Sequence, residues 1–163
     1  MESFETLAEI AIGLAGFGTI AIVLSRDSRR WSSADFFRTA ALFLSSLGAL
    51  FLSLLPIGLA TAALPDMLLW RISSAVMAVF IVVFSAILLD LRRKHLERAL
   101  WFGPVLLATI SISTVTNLCA QALNSTGFLF EPNATIAFFG IVWFLMYGCL
   151  MLVRIVFLPP GSQ

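Results

Sequence analysis

Five apolar stretches, each long enough to cross a bilayer, restrict this chain more than any other feature of its sequence. A helix needs about 20 mostly apolar residues to traverse the hydrocarbon core, and residues 4–24, 36–62, 68–89, 100–122 and 134–157 each provide them. The breaks between them are short and polar or turn-forming, so consecutive spans must run antiparallel. Composition agrees: 60% of the residues are hydrophobic and 12% are charged, whereas an ordinary soluble domain carries about 25% charged residues. A chain of 163 residues has too much surface for its volume to hide that apolar area from water. The expected fold is all-α: a single transmembrane domain over residues 1–163, built as a polytopic bundle of about five membrane-spanning helices.

The basic residues give the expected orientation, because Lys and Arg in short loops are retained in the cytoplasm. Arg26, Arg29 and Arg30 occupy the first break, with Arg38 just inside the second span. Arg92, Arg93, Lys94 and Arg98 occupy the third break, and Arg154 sits close to the C-terminal end. Alternating spans place these nine of the ten basic residues on one side, leaving Arg71 opposite them with Glu2, Glu5, Asp66 and Glu131. The N-terminus is thus expected outside and the C-terminus in the cytoplasm. Trp31 and Trp101 then fall near the inner interface and Trp70 near the outer one, where aromatic belts belong. Besides setting topology, Arg26, Arg29, Arg30, Arg92, Arg93, Lys94 and Arg98 are expected to touch anionic lipid headgroups. Asp27, Asp35 and Glu97 are expected to pair with them locally, and His95, the one histidine, to be a solvated loop residue. A net charge of +1 excludes bulk attraction to nucleic acid. The opening Met-Glu-Ser-Phe-Glu lacks a basic region, and Glu9 interrupts the first apolar stretch, which argues against a cleaved signal peptide.

Projected at about 100° per residue, the first span separates into three faces. Leu7, Ile10, Leu14, Phe17 and Leu24 form a bulky face suited to lipid. Ala8, Ala11, Ala15 and Gly18 form a small-residue face where another helix can approach closely. Glu5, Glu9, Ile12, Gly16, Thr19 and Val23 form a third stripe, acidic at its outer end and small or weakly polar deeper in. An acid inside a span is costly and normally faces protein or water, so Glu9 is a candidate ion- or proton-binding group. The competing reading is a structural salt bridge to Arg71.

The fourth span carries Leu106, Ile110, Ser113, Thr114, Asn117, Gln121 and Asn124 along one face, apolar inside and polar outside. Asn117 and Gln121 lie at about the depth of Glu9, and Arg71 lies at a similar or slightly shallower depth. These residues are therefore expected either to line one outward-facing polar cavity with Glu5 and Glu9 or to hydrogen-bond between helices. Cys119 and Cys149 sit too far apart in depth for a disulfide and are expected to be free, buried thiols. Pro56 is expected to kink the second span, and Pro104 to be tolerated in the first turn of the fourth. Asn124-Ser-Thr and Asn133-Ala-Thr match the glycosylation pattern but hug the membrane.

The chain contains no H-E-x-x-H zinc motif, no G-x-S-x-G nucleophile elbow and no phosphate-binding loop of the Walker type. With one histidine, bis-histidine haem ligation within the chain is impossible. No cofactor, metal or enzymatic activity is therefore expected. The run from Glu9 to Gly18, E-I-A-I-G-L-A-G-F-G, followed by a basic stretch with Trp31 and Asp35 and a Ser- and Leu-rich second span ending near Pro56, resembles small uncharacterised bacterial inner-membrane proteins. The resemblance covers about the first third of the chain and implies that location, with no assigned activity.

The leading expectation is a homo-oligomeric channel-like or transport-type protein. Glu5 and Glu9 would repeat around an axis as the acidic ring that cation pathways use. Glu9 would bind the cation or proton, Gly16 and Thr19 would line the deeper path, and Asn117 and Gln121 would support the mouth. The rival is a non-catalytic accessory or assembly subunit that docks on another membrane protein through the small-residue face.

Overall fold

A computed structural model of the chain describes residues 1–26, 33–95 and 104–157. They form an all-α bundle of five helices: α1 (Glu2–Arg26), α2 (Ser33–Thr61), α3 (Asp66–His95), α4 (Pro104–Thr126) and α5 (Ala134–Phe157). All five are long and apolar enough to cross a membrane. Trp31, Trp101, Asp27, Glu97, Arg29, Arg30 and Arg98 lie outside the described residues, as do the side chains of Arg26 and His95.

The expected spans match these helices, with two extensions: α4 runs to Thr126, one turn past its expected end, and α3 runs further still. α3 continues to His95, so Arg92, Arg93 and Lys94 ride its last turns rather than a loop. Asp90 and Lys94 are one helical turn apart there and pair at 2.7 Å, which lets the helix persist past its apolar segment. Arg38 pairs with Asp35 at 3.6 Å in the first turns of α2. α2 runs unbroken through the buried Pro56, whose missing N–H forgoes the bond to Leu52. Pro104 is the first residue of α4, where its missing N–H has no helical partner to lose.

α2 and α5 form the middle of the bundle. α1 packs against both from one side, α3 packs against both from the other, and α4 packs outside α3 and α5. Glycines permit the closest approaches. A β-carbon on Gly148 of α5 would come within 2.7 Å of Leu14 and 2.8 Å of the Ser45 hydroxyl, so α1, α2 and α5 meet at that point. Gly18 of α1 admits Leu42 of α2, and Gly48 of α2 admits the Phe80 ring of α3. The interior is filled by Leu42, Leu52, Met77, Ile81, Ile141, Phe144 and Met151. On the α3–α5 side, Phe84 sits edge-on to Phe144, Tyr147 and Trp143, with centroids 5.2, 5.5 and 6.2 Å away. Such offset geometry is the favoured one for aromatic pairs.

The bundle corrects two expectations about side-chain direction. Leu7 and Leu14, assigned above to the lipid face of α1, are buried along with Phe4, Ala8, Ala11 and Gly18. α1 fits between two helices, so its protein-facing arc is wider than the small-residue stripe alone. Cys119 and Cys149 are free as expected but exposed, not buried, because their positions on α4 and α5 turn away from the neighbouring helices.

Candidate functional site

The polar residues singled out from the sequence divide between the two flanks of the bundle. α1 and α4 do not pack against each other, because α2 and α5 separate the one from the other. Equal depth therefore does not bring Glu5 and Glu9 together with Asn117 and Gln121, and the described residues form no single cavity lined by all four.

On the α1 flank, Glu5, Glu9, Ile12, Gly16, Thr19 and Val23 are all exposed. Phe4 stacks on Trp70 with centroids 5.5 Å apart, and Glu9 is five residues farther along α1, about 7.5 Å along the helix axis at 1.5 Å per residue. No ion pair joins Glu9 to Arg71 among the described residues. Arg71 points elsewhere: its Nη2 lies 2.8 Å from where a β-carbon on Gly127 would stand, so its guanidinium covers the α4–α5 turn. The expected salt bridge is thus not made. The Thr19 hydroxyl donates to the Ala15 carbonyl at 3.0 Å, which commits its proton and leaves its oxygen outward as an acceptor. Among the described residues, nothing beyond α1's own backbone lies within 4 Å of a β-carbon built on Gly16.

On the α4 flank the polar groups hold helices together. Gln121 is fully buried, and its Nε2 donates to Asn117 Oδ1 at 3.2 Å and to the Ile136 carbonyl of α5 at 2.8 Å. Asn124 is fully buried too. Its Nδ2 donates to Ser74 Oγ of α3 at 2.6 Å and to the Asn133 carbonyl at 3.1 Å, while its Oδ1 accepts from the Asn133 N–H at 3.0 Å. Asn133 in turn caps α5, its Oδ1 accepting from the Ile136 N–H at 3.3 Å. Gly127 closes α4 in the left-handed region at φ 67°. Both asparagines of the glycosylation patterns are therefore occupied structurally. Asn124, noted in the sequence as a member of a polar face and of a glycosylation pattern, is the residue on which three helices converge. Asn117 Nδ2 and Gln121 Oε1 remain buried without a partner.

At the basic end, Arg92, Arg93 and Lys94 are exposed. Arg92 stands at the mouth of a cleft of about 500 Å³ between the halves of α3 and α4 nearest that end. Among the described residues, no group of three or more His, Cys, Asp or Glu side chains is placed to hold a metal ion.

These features define the architecture of a multi-pass helical membrane protein: five helices that can cross a membrane, an interior closed by apolar packing and an acidic stripe facing out of the bundle. Comparison with protein-family models, with curated proteins and with solved structures finds no match.

Proposed function

We propose that the chain is a subunit of a homo-oligomeric, transport-type protein of a bacterial inner membrane, and that the exposed stripe of α1 lines a path shared between copies. One observation carries this reading: Glu9 is exposed, about 7.5 Å farther along α1 than the Phe4–Trp70 stack, on a surface that no other described part of the chain covers. A carboxylate that far into a membrane span needs water, a cation or a protein neighbour. The described interior of a single copy is filled largely by apolar side chains. A ring of copies presenting α1 to a common axis gives Glu5 and Glu9 an aqueous environment. It also sets the outward oxygen of Thr19 and the open backbone at Gly16 below them as a path for a cation or proton.

The basic residues support the N-out, C-in orientation. Arg38, Arg92, Arg93, Lys94 and Arg154 gather at the end of the bundle where α2 begins and α3 and α5 finish. Asn117 and Gln121 have no place in the path: Gln121 ties α4 to α5, and Asn117 accepts from Gln121 within α4.

The test is ion or proton flux into liposomes containing purified wild-type protein and Glu9→Gln, with the oligomeric state read in mild detergent. Wild-type flux above that of empty liposomes, reduced at least tenfold by Glu9→Gln, is the expected result. Flux equal to that of empty liposomes ends the transport reading. Co-purification of a monomer with a different membrane protein replaces it with the accessory-subunit role.

A further inference from the structure

The cleft beside Arg92 has the dimensions and the chemistry of a site for one lipid tail. Its walls come from α3 between Ile81 and Arg92 and from α4 between Leu107 and Leu118, and its floor from Trp143 and Tyr147 of α5. At about 500 Å³ it falls within the range of small-molecule sites, about 300–1,000 Å³. From Arg92 to Ile81 the cleft runs 11 residues along α3, about 16 Å. That is one leaflet, half of a hydrocarbon core about 30 Å thick. The lining is mainly apolar, with Ser85 and Tyr147 among its polar members. The Ser111 and Thr114 hydroxyls donate back to the Leu107 and Ile110 carbonyls at 2.9 and 2.7 Å, so neither offers a free donor to an occupant.

The cleft exists because α4 is tied at one end only. Asn124 and Gln121 anchor its C-terminal half to α3 and α5, and the Trp143 indole donates to Ser113 Oγ at 3.1 Å near its middle. No comparable side-chain tie joins the half of α4 nearest Pro104 to α3 among the described residues. Among the described residues the cation at the mouth has no acidic partner: Asp90 is engaged by Lys94 at 2.7 Å, and no described carboxylate pairs with Arg92.

We infer that this cleft is a binding site for an anionic phospholipid of the adjoining leaflet, with one acyl chain lying on Trp143 and Tyr147 and the headgroup phosphate held by Arg92. A cation at headgroup level above an apolar slot one leaflet deep matches an anionic lipid in both charge and length. A zwitterionic lipid matches it only in length.

Trp143 lies in the floor of this cleft and also borders a second cleft between α4 and α5, so the Arg92→Gln contrast is what assigns the quenching to this one. In a variant with Trp31, Trp70 and Trp101 replaced by Phe, Trp143 fluorescence is to be measured in bilayers mixing phosphatidylglycerol and phosphatidylcholine, with one or the other carrying brominated acyl chains. Brominated phosphatidylglycerol is expected to quench about fivefold more effectively than brominated phosphatidylcholine at equal mole fraction. Arg92→Gln should abolish that preference, and Arg93→Gln, one residue along on the same exposed surface, should retain it. Equal quenching by the two lipids overturns the inference. So does equal loss in the two variants, which would mark a general surface attraction.

Discussion

At Gly140 a β-carbon would meet the Met77 sulfur and the Gln121 amide nitrogen, and would stand 3.2 Å from Asn117 Oδ1. The absence of a side chain there is what lets Gln121 reach the Ile136 carbonyl. Gly16 is the contrasting case, with nothing described beyond α1's own backbone within 4 Å. Gly140→Ala is therefore expected to destabilise the protein by about 1–3 kcal/mol, since Gln121 must withdraw and leave its amide unpaired. Gly16→Ala should leave the single chain as stable or raise its stability by about 0.5–1 kcal/mol through helix propensity. Thermal midpoints of the two variants in one detergent check the pair, and a similar loss in both would contradict the packing described for α5. Residues of one type thus divide by what faces them.

Among the elements, α4 depends most on side-chain hydrogen bonds, because so little of it is buried. Its C-terminal end is fastened at Asn124, which bonds Ser74 and both backbone groups of Asn133. Interhelical hydrogen bonds in membranes average about 0.6 kcal/mol, and three that share one buried side chain add to about 2 kcal/mol. Asn124→Ala is expected to cost about that much and to open the α4–α5 turn. Asn117→Ala should cost less than about 1 kcal/mol, since Asn117 accepts one bond and its own Nδ2 already lacks a partner. Limited proteolysis in detergent, followed at the turn over residues 127–133, separates the two. Faster cutting in Asn117→Ala than in Asn124→Ala would reverse the assignment of the anchor.

For the molecule as a whole, the decisive property is which end of the bundle faces the cytoplasm. The proposed orientation predicts the accessibility of two exposed positions, Arg93 on the last turns of α3 and Glu131 between α4 and α5. With Cys119 and Cys149 replaced by Ala, Glu131→Cys should react with a membrane-impermeant maleimide in intact cells, and Arg93→Cys only after permeabilisation. The reverse pattern inverts the topology and moves the acidic mouth of α1 to the cytoplasmic side. The separate flanks matter at this scale too. α1 carries the uncovered acid and α4 borders the lipid cleft, with α2 and α5 between them. A change at Arg92 is thus expected to leave the α1 stripe undisturbed.

Much of this architecture was legible in the residues alone. The number of helices, their limits to within a few positions, the gathering of basic residues at one end and the close-packing role of Ala8, Ala11 and Gly18 all follow from apolar length, charge placement and side-chain size. What only the tertiary structure decided is which faces meet. Leu7 and Leu14 turned inward while Cys119 and Cys149 turned outward, and Glu9, expected at the depth of Asn117, shares no surface with it. The reason is physical. In hydrocarbon, a leucine against lipid and a leucine against another helix have nearly the same solvation free energy, so apolar periodicity does not mark the buried side of a helix. Position along a span sets how deep a residue lies in the bilayer. Its direction around the helix axis is set by shape complementarity between helices, and that exists only once the bundle has assembled.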